Sequence, residues 1–222
     1  MNPSTHVYTP PAESIIDIIY EDEHLLMVDK PNGLLSVPGR GADKQDSLIL
    51  RLQRDYPDAL AVHRLDMDTS GLMVVARSRD MHRELSLQFQ QRRVEKRYVA
   101  VVAGRVETGE GVIELPLITD WPRRPLQKVD TTHGKPARTY YKVLGDSAAA
   151  GATRMALHPV TGRTHQLRVH MQQLGHPILG DRLYASEAVQ ALAGRLLLHA
   201  CELAFMHPAI GQKLAFESEA PF

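Results

Sequence analysis

Apolar residues along this chain fall into short runs separated by Gly, Pro and charged positions. Residues 15–20 and 25–28 read as two strands, with Glu21-Asp22-Glu23-His24 as the hairpin turn between them. Pro31-Asn32-Gly33 then breaks the chain. Leu48, Ile49, Leu52 and Tyr56 recur at helical spacing behind Asp46, a residue type that caps helices, and Pro57 ends the pattern. Residues 72–76 are apolar and β-branched, which predicts a buried strand entered from the polar stretch 63–71. Polar residues placed just before such a strand lie on a loop at its edge, where a rigid sheet presents reactive groups to solvent.

Met81, Leu85 and Phe89 mark one face of a second helix. Further strands are predicted at 98–103, 112–115, 139–144 and 154–158, and a late, strongly apolar one at 196–205. Residues 164–174 read as a helix closed by Gly175. Runs of strands with a few helices, without regular βαβ alternation, predict an α+β fold with a mixed sheet.

At 222 residues, the chain is long enough for one large domain or two closely joined lobes. With 43% hydrophobic and 23% charged residues it reads as globular. No run is long and apolar enough to span a bilayer, and no basic start with an apolar h-region opens the chain, so a cytoplasmic location is expected. The single Cys201 excludes an internal disulfide and is more simply a small core residue than a nucleophile.

Lys plus Arg and Asp plus Glu are equal at 26 each, which argues against binding nucleic acid by bulk charge. The basic residues are nevertheless clustered, at 91–97 and 123–128. Each cluster alone is compatible with a solvated surface; they gain meaning only if they flank a cleft. No phosphate loop, dinucleotide fingerprint or His-Glu-x-x-His occurs. The 11 histidines are scattered, and His165 and His170, five apart, do not share a helix face. No metal and no cofactor is expected.

The segment His63-Arg64-Leu65-Asp66-Met67-Asp68-Thr69-Ser70-Gly71 stands apart. By spacing alone it serves equally as an Arg–Asp pair bracing a turn or as a catalytic loop. Its sequence, however, resembles the His-Arg-Leu-Asp-x-x-Thr-Ser-Gly signature of the RluA family of pseudouridine synthases. Other blocks are similar to that family in the same order: Lys30-Pro31-Asn32-Gly33, Lys96-Arg97-Tyr98, the run from Thr161-Gly162-Arg163 through His170, His176-Pro177-Ile178-Leu179-Gly180-Asp181, and Leu196-Leu197-Leu198-His199-Ala200. An ordered set of blocks is far more specific than any one short motif.

The resemblance implies the pseudouridine synthase fold, a mixed, largely antiparallel sheet with flanking helices around a central RNA-binding catalytic cleft. It implies a leader over 1–14 and a catalytic domain over 15–222 without the RNA-binding S4 domain that many relatives carry. Asp66 is then the catalytic carboxylate, which acts ionised whether it stabilises charge at the anomeric carbon, adds covalently or removes a sugar proton. Arg168 is its expected counter-charge, and Tyr98 the residue that stacks on the base and takes or relays the surplus proton. Leu198 is expected to pack against the base and Arg64 to fill the space of a flipped nucleotide. His63, Arg163, His165 and Gln166 are expected to contact substrate. Asp68 is read as an exposed variable position rather than a second catalytic carboxylate. The expected partners are stem-loop RNAs, namely tRNA anticodon arms at their first loop position and a hairpin loop of 23S rRNA. No membrane and no obligatory protein partner is inferred. A glycosylase, which would release free base, and a non-catalytic RNA chaperone remain the alternatives.

Overall fold

A computed structural model describes residues 8–12, 16–107, 109–147 and 151–222. Most of the expected leader, and Ile15 at the start of the first expected strand, lie outside the described residues. The chain divides into two compact units, residues 1–95 with 200–221, and residues 96–199 with Phe222.

The first unit opens with β1 (Asp17–Glu21) and β2 (Leu25–Lys30), which form an antiparallel hairpin. Asp22 makes its turn by accepting from the backbone N–H groups of His24 and Leu25, both at 2.8 Å. After α1 (Leu48–Leu52) and the short β3 (Leu60–Ala61), the chain enters β4 (Ser70–Ala76). β4 pairs with β2 on one side, has β11 (Leu198–Met206) as its other neighbour, and is buried at every position. The register sets Lys30 opposite Gly71 and Leu25 opposite Ala76. β12 (Lys213–Glu217) completes the unit against β11. α2 (Arg79–Gln90) is capped by the Ser78 hydroxyl and turns Met81, Leu85 and Phe89 onto a core of Leu25, Met27, Leu72, Val74 and Phe205.

Gly71 sits where β4 passes β11, at φ +115°. A Cβ there would lie 2.3 Å from the Ala200 carbonyl oxygen and 2.5 Å from its nitrogen. The last residue of the His63–Gly71 segment is therefore glycine because the neighbouring backbone leaves no room for a side chain.

The second unit orders its sheet as β5 (Glu95–Ala103), β10 (Ala152–Pro159), β9 (Arg138–Asp146) and β6 (Glu110–Glu114), all antiparallel neighbours. β7 (Leu117–Thr119) and β8 (Gln127–Val129) form a separate hairpin that the periodicity did not predict. α3 (Gln166–Gln173) lays Leu167 and Met171 on a core of Ala100, Val102, Met155, Leu157 and Ile178, and α4 (Glu187–Gln190) is a single turn. The α+β class with a largely antiparallel sheet holds.

Two helix boundaries differ from the sequence reading. α1 is capped by Ser47, whose hydroxyl accepts from the Leu50 N–H, because the Asp46 carboxylate is held by Arg51 at 2.7 and 2.8 Å. It stops at Leu52, leaving Tyr56 outside. α3 starts at Gln166 rather than Thr164, because His165 takes a left-handed conformation at φ 54° that no helix continues. Gly175 does close it, at φ 92°.

Candidate active site

In the first unit the structure brings together two segments that are far apart in sequence. The turn after β2 packs against the His63–Gly71 loop, and every link runs through backbone groups near Asp66. Ser36, 3% exposed, donates its hydroxyl proton to the Leu65 carbonyl at 2.7 Å and accepts from the Leu65 N–H at 3.1 Å. Lys30, fully buried, donates to the carbonyls of Pro31, Leu34 and Met67 at 2.8, 2.7 and 3.0 Å. The Gly33 N–H also donates to Met67, and the Asn32 amide to the carbonyl of Asp68. Asp66 thus has both neighbours, Leu65 and Met67, held by their backbones, and its own carbonyl accepts from the Thr69 N–H at 3.1 Å. A buried ammonium is tolerable here because carbonyl dipoles replace its hydration.

Within that loop the side chains differ in exposure. Leu65 is buried, Asp66 half-buried and Arg64 exposed. Asp68 is half-buried rather than exposed, drawn in by the Asn32 contact to its backbone. His63 stacks on Phe89 with centroids 4.4 Å apart, and its Nε2 accepts from the Val74 N–H at 3.1 Å. The neutral ring therefore carries its proton on Nδ1, and His63 ties the start of the loop to α2 and β4.

The remaining expected site residues lie in the second unit. Tyr98 is on β5, half-buried, packed against the Ala100 and Leu157 cluster. Lys96 is two residues away on the same strand face, and burial pushes its ammonium below the usual lysine range. Leu198 belongs to the same cluster and is 3% exposed.

The loop before α3 is held by Gln166. Its side-chain oxygen accepts from Thr161 Oγ1 at 2.7 Å and from the Arg163 N–H at 3.0 Å, and its amide nitrogen donates to the Arg138 carbonyl and Thr139 Oγ1, both at 3.0 Å. Gln166, expected to meet substrate, is buried and commits its amide to the protein. Arg163 and His165 are half-buried on the loop it braces. Arg163 donates to the Pro136 carbonyl at 3.2 Å, and His165 Nδ1 lies 2.6 Å from the Tyr184 hydroxyl.

Arg168, 3% exposed, forms a two-pronged pair with Asp181, Nε to Oδ2 at 2.8 Å and Nη2 to Oδ1 at 2.7 Å. Asp181 also accepts from the Leu183 and Tyr184 N–H groups, and the Tyr184 ring lies 5.3 Å under the Arg168 guanidinium. Four of these bracing residues escaped sequence reasoning as such. Lys30 and Asp181 were visible only as members of their blocks, while Ser36 and Tyr184 carry no local signal. Among the described residues, no group of three or more His, Cys, Asp or Glu is arranged to hold a metal ion.

Residues 24–173 match the family model described as RNA pseudouridylate synthase. Over 215 residues the chain is 54% identical to the dual-specificity RNA pseudouridine synthase RluA of Escherichia coli K12, an overlap covering 97% of this chain and 98% of that protein. The protein of the same description from Vibrio parahaemolyticus is 53% identical over 204 residues, covering 90% of this chain and 82% of the relative. Among solved structures, human RNA pseudouridylate synthase domain containing 1 superposes with a TM-score of 0.80 at 29% identity, covering 96% of this chain and 87% of that one.

Proposed function

The chain belongs to the RNA pseudouridylate synthase family, and on that footing we propose that it isomerises uridines in RNA stem-loops with Asp66 as its catalytic carboxylate. The proposed substrates are of two kinds, tRNA anticodon arms and a hairpin loop of 23S rRNA; the relatives' dual specificity supports two kinds. Residues 15–222 are proposed to act as one catalytic domain.

The reaction breaks the N-glycosidic bond of a uridine, turns the base, and rejoins it through carbon five. Asp66 serves it as an ionised group, either against charge at the anomeric carbon, as a nucleophile, or as the base for a neighbouring sugar proton. Arg168 is the proposed counter-charge, with Asp181 fixing the plane of its guanidinium. Tyr98 is proposed to stack on the uracil and to take or relay the proton that carbon five must lose. Arg64 is proposed to enter the space left by the flipped nucleotide, a role its exposure supports. His63 and Gln166 contribute by holding their loops.

The observation that carries this reading is the clamping of Leu65 and Met67, which fixes the backbone on both sides of a half-buried carboxylate. Preorganisation of that kind is what a reaction at a single sugar carbon needs. The test incubates total tRNA and rRNA from a deletion strain with wild-type protein and with Asp66→Asn. Wild-type protein is expected to create carbodiimide-reactive sites without any change of RNA mass. Asp66→Asn is expected to remain folded and create none; appreciable turnover by that variant overturns the assignment. Release of free uracil by the wild type makes the protein a glycosylase instead.

A further inference from the structure

The tip of the β7–β8 hairpin carries an exposed aromatic–guanidinium pair that uridine chemistry does not use. Trp121 is 65% exposed, an unusual position for the residue type with the most to gain from burial. Arg124 Cζ lies 4.7 Å from the centre of its ring. Among the described residues this is the only partner of the Arg124 guanidinium, which has no carboxylate or carbonyl on it. Its neighbour Arg123 is different, because the 5%-exposed Asp120 neutralises it through Nε at 2.7 Å. Lys128, also exposed, follows on β8.

The loop that presents this pair is rigid. Asp120 and Leu126 bond across it at 2.9 Å, and inside it the Arg123 N–H donates to Asp120 at 2.9 Å and the Leu126 N–H to Arg123 at 3.0 Å. Its return strand is joined to the loop before α3: the Gln127 N–H donates to the Tyr184 hydroxyl at 2.8 Å, and that hydroxyl meets His165 Nδ1 at 2.6 Å. A surface Trp and Arg that merely covered each other would need neither the fixed loop nor this connection. A flat indole face beside an unneutralised guanidinium suits one chemistry, an unpaired base with its phosphate.

We propose that the tip of this hairpin is a second RNA-contact site, where an unpaired loop base of the substrate stacks on Trp121 and Arg124 neutralises an adjoining phosphate. The inference rests on the reading that the chain modifies structured RNA. Neither an indole nor a guanidinium at this tip is a group that the isomerisation consumes, so the contact is proposed to govern which loop is held and not the chemical step.

Trp121 is the only tryptophan in the chain, so red-edge-excited emission reports this site alone. The experiment titrates the full-length protein with an anticodon stem-loop RNA, using Asp66→Asn to keep the complex from turning over. Stacking is expected to quench the emission strongly; unchanged emission at saturating RNA overturns the proposal. Trp121→Ala is expected to bind RNA about tenfold more weakly with the salt slope unchanged, as befits a lost stacking platform. Arg124→Ala is expected to lower the slope of log K against log salt by about 0.7–0.9, the value of one phosphate contact. In turnover the losses fall on KM rather than kcat. Folded variants with wild-type affinity and wild-type salt slope overturn the proposal, while wild-type protein that converts no uridine overturns the activity reading instead.

Discussion

Replacing Ser36 by Ala removes one hydroxyl that serves two backbone groups of Leu65, the residue before Asp66. Ser36 is 3% exposed and Leu65 7%, so water cannot replace the hydroxyl unless the loop opens. A buried backbone donor or acceptor left unpaired costs about 1–3 kcal/mol. Two such groups, with partial relaxation, give a loss of about 2–4 kcal/mol. For a chain of this length that lowers the thermal midpoint by roughly 5–15 °C. Because the strain falls on the Asp66 loop, the cheapest relief is for that loop to move. Turnover at saturating RNA is then expected to drop at least about tenfold, the equivalent of ~1.4 kcal/mol of misplacement. Thermal melts and single-turnover rates of wild type, Ser36→Ala and Ser36→Cys test this, with the thiol, a weak donor of similar shape, expected in between. A Ser36→Ala protein with an unchanged midpoint and full turnover would refute the reasoning.

Gly71→Ala drives a methyl into the Ala200 backbone, and is expected to cost several kcal/mol and yield little folded protein. Gly175→Ala, also at positive φ but with nothing within 4 Å of the new methyl, is the control and should cost only about 1 kcal/mol in a denaturant melt. Tyr98→Phe keeps the ring but removes the hydroxyl; it is expected to bind RNA normally and stall after the glycosidic bond breaks, seen as an RNA-bound intermediate without finished pseudouridine. His170 is held neutral by burial, which lowers its pKa against the weaker opposing bond to the Leu115 carbonyl. With the folded value below the unfolded one, its contribution to stability is full above pH ~6.5 and is lost as pH falls toward the lowered value. His170→Asn should flatten that part of the stability profile in melts between acid and neutral pH.

The hydrophobic pattern determined most of the elements, because strand and helix periodicity are properties of neighbouring residues. Met81, Leu85 and Phe89 lie on the core face of α2, and the apolar run before Arg77 became the buried β4. It could not find β3, β7 or β8, whose two or three residues are too short a run to stand out from loop. Nor could it choose between Asp46 and Ser47 as the cap of α1, since the ion pair with Arg51 takes the carboxylate away. The Asp66 loop was legible through the blocks it shares with a family, yet nothing local tells that Ser36 and Lys30 hold it. Those bonds join residues 29 and 37 positions apart, and hydrogen bonds at such separations exist only after β2 and β4 have paired. The same holds for Asp181 and Tyr184, whose side chains meet Arg168 and His165 only once the chain after α3 has folded back. Residue chemistry is written locally, whereas the bracing that makes a carboxylate or guanidinium point one way is a matter of packing between distant segments.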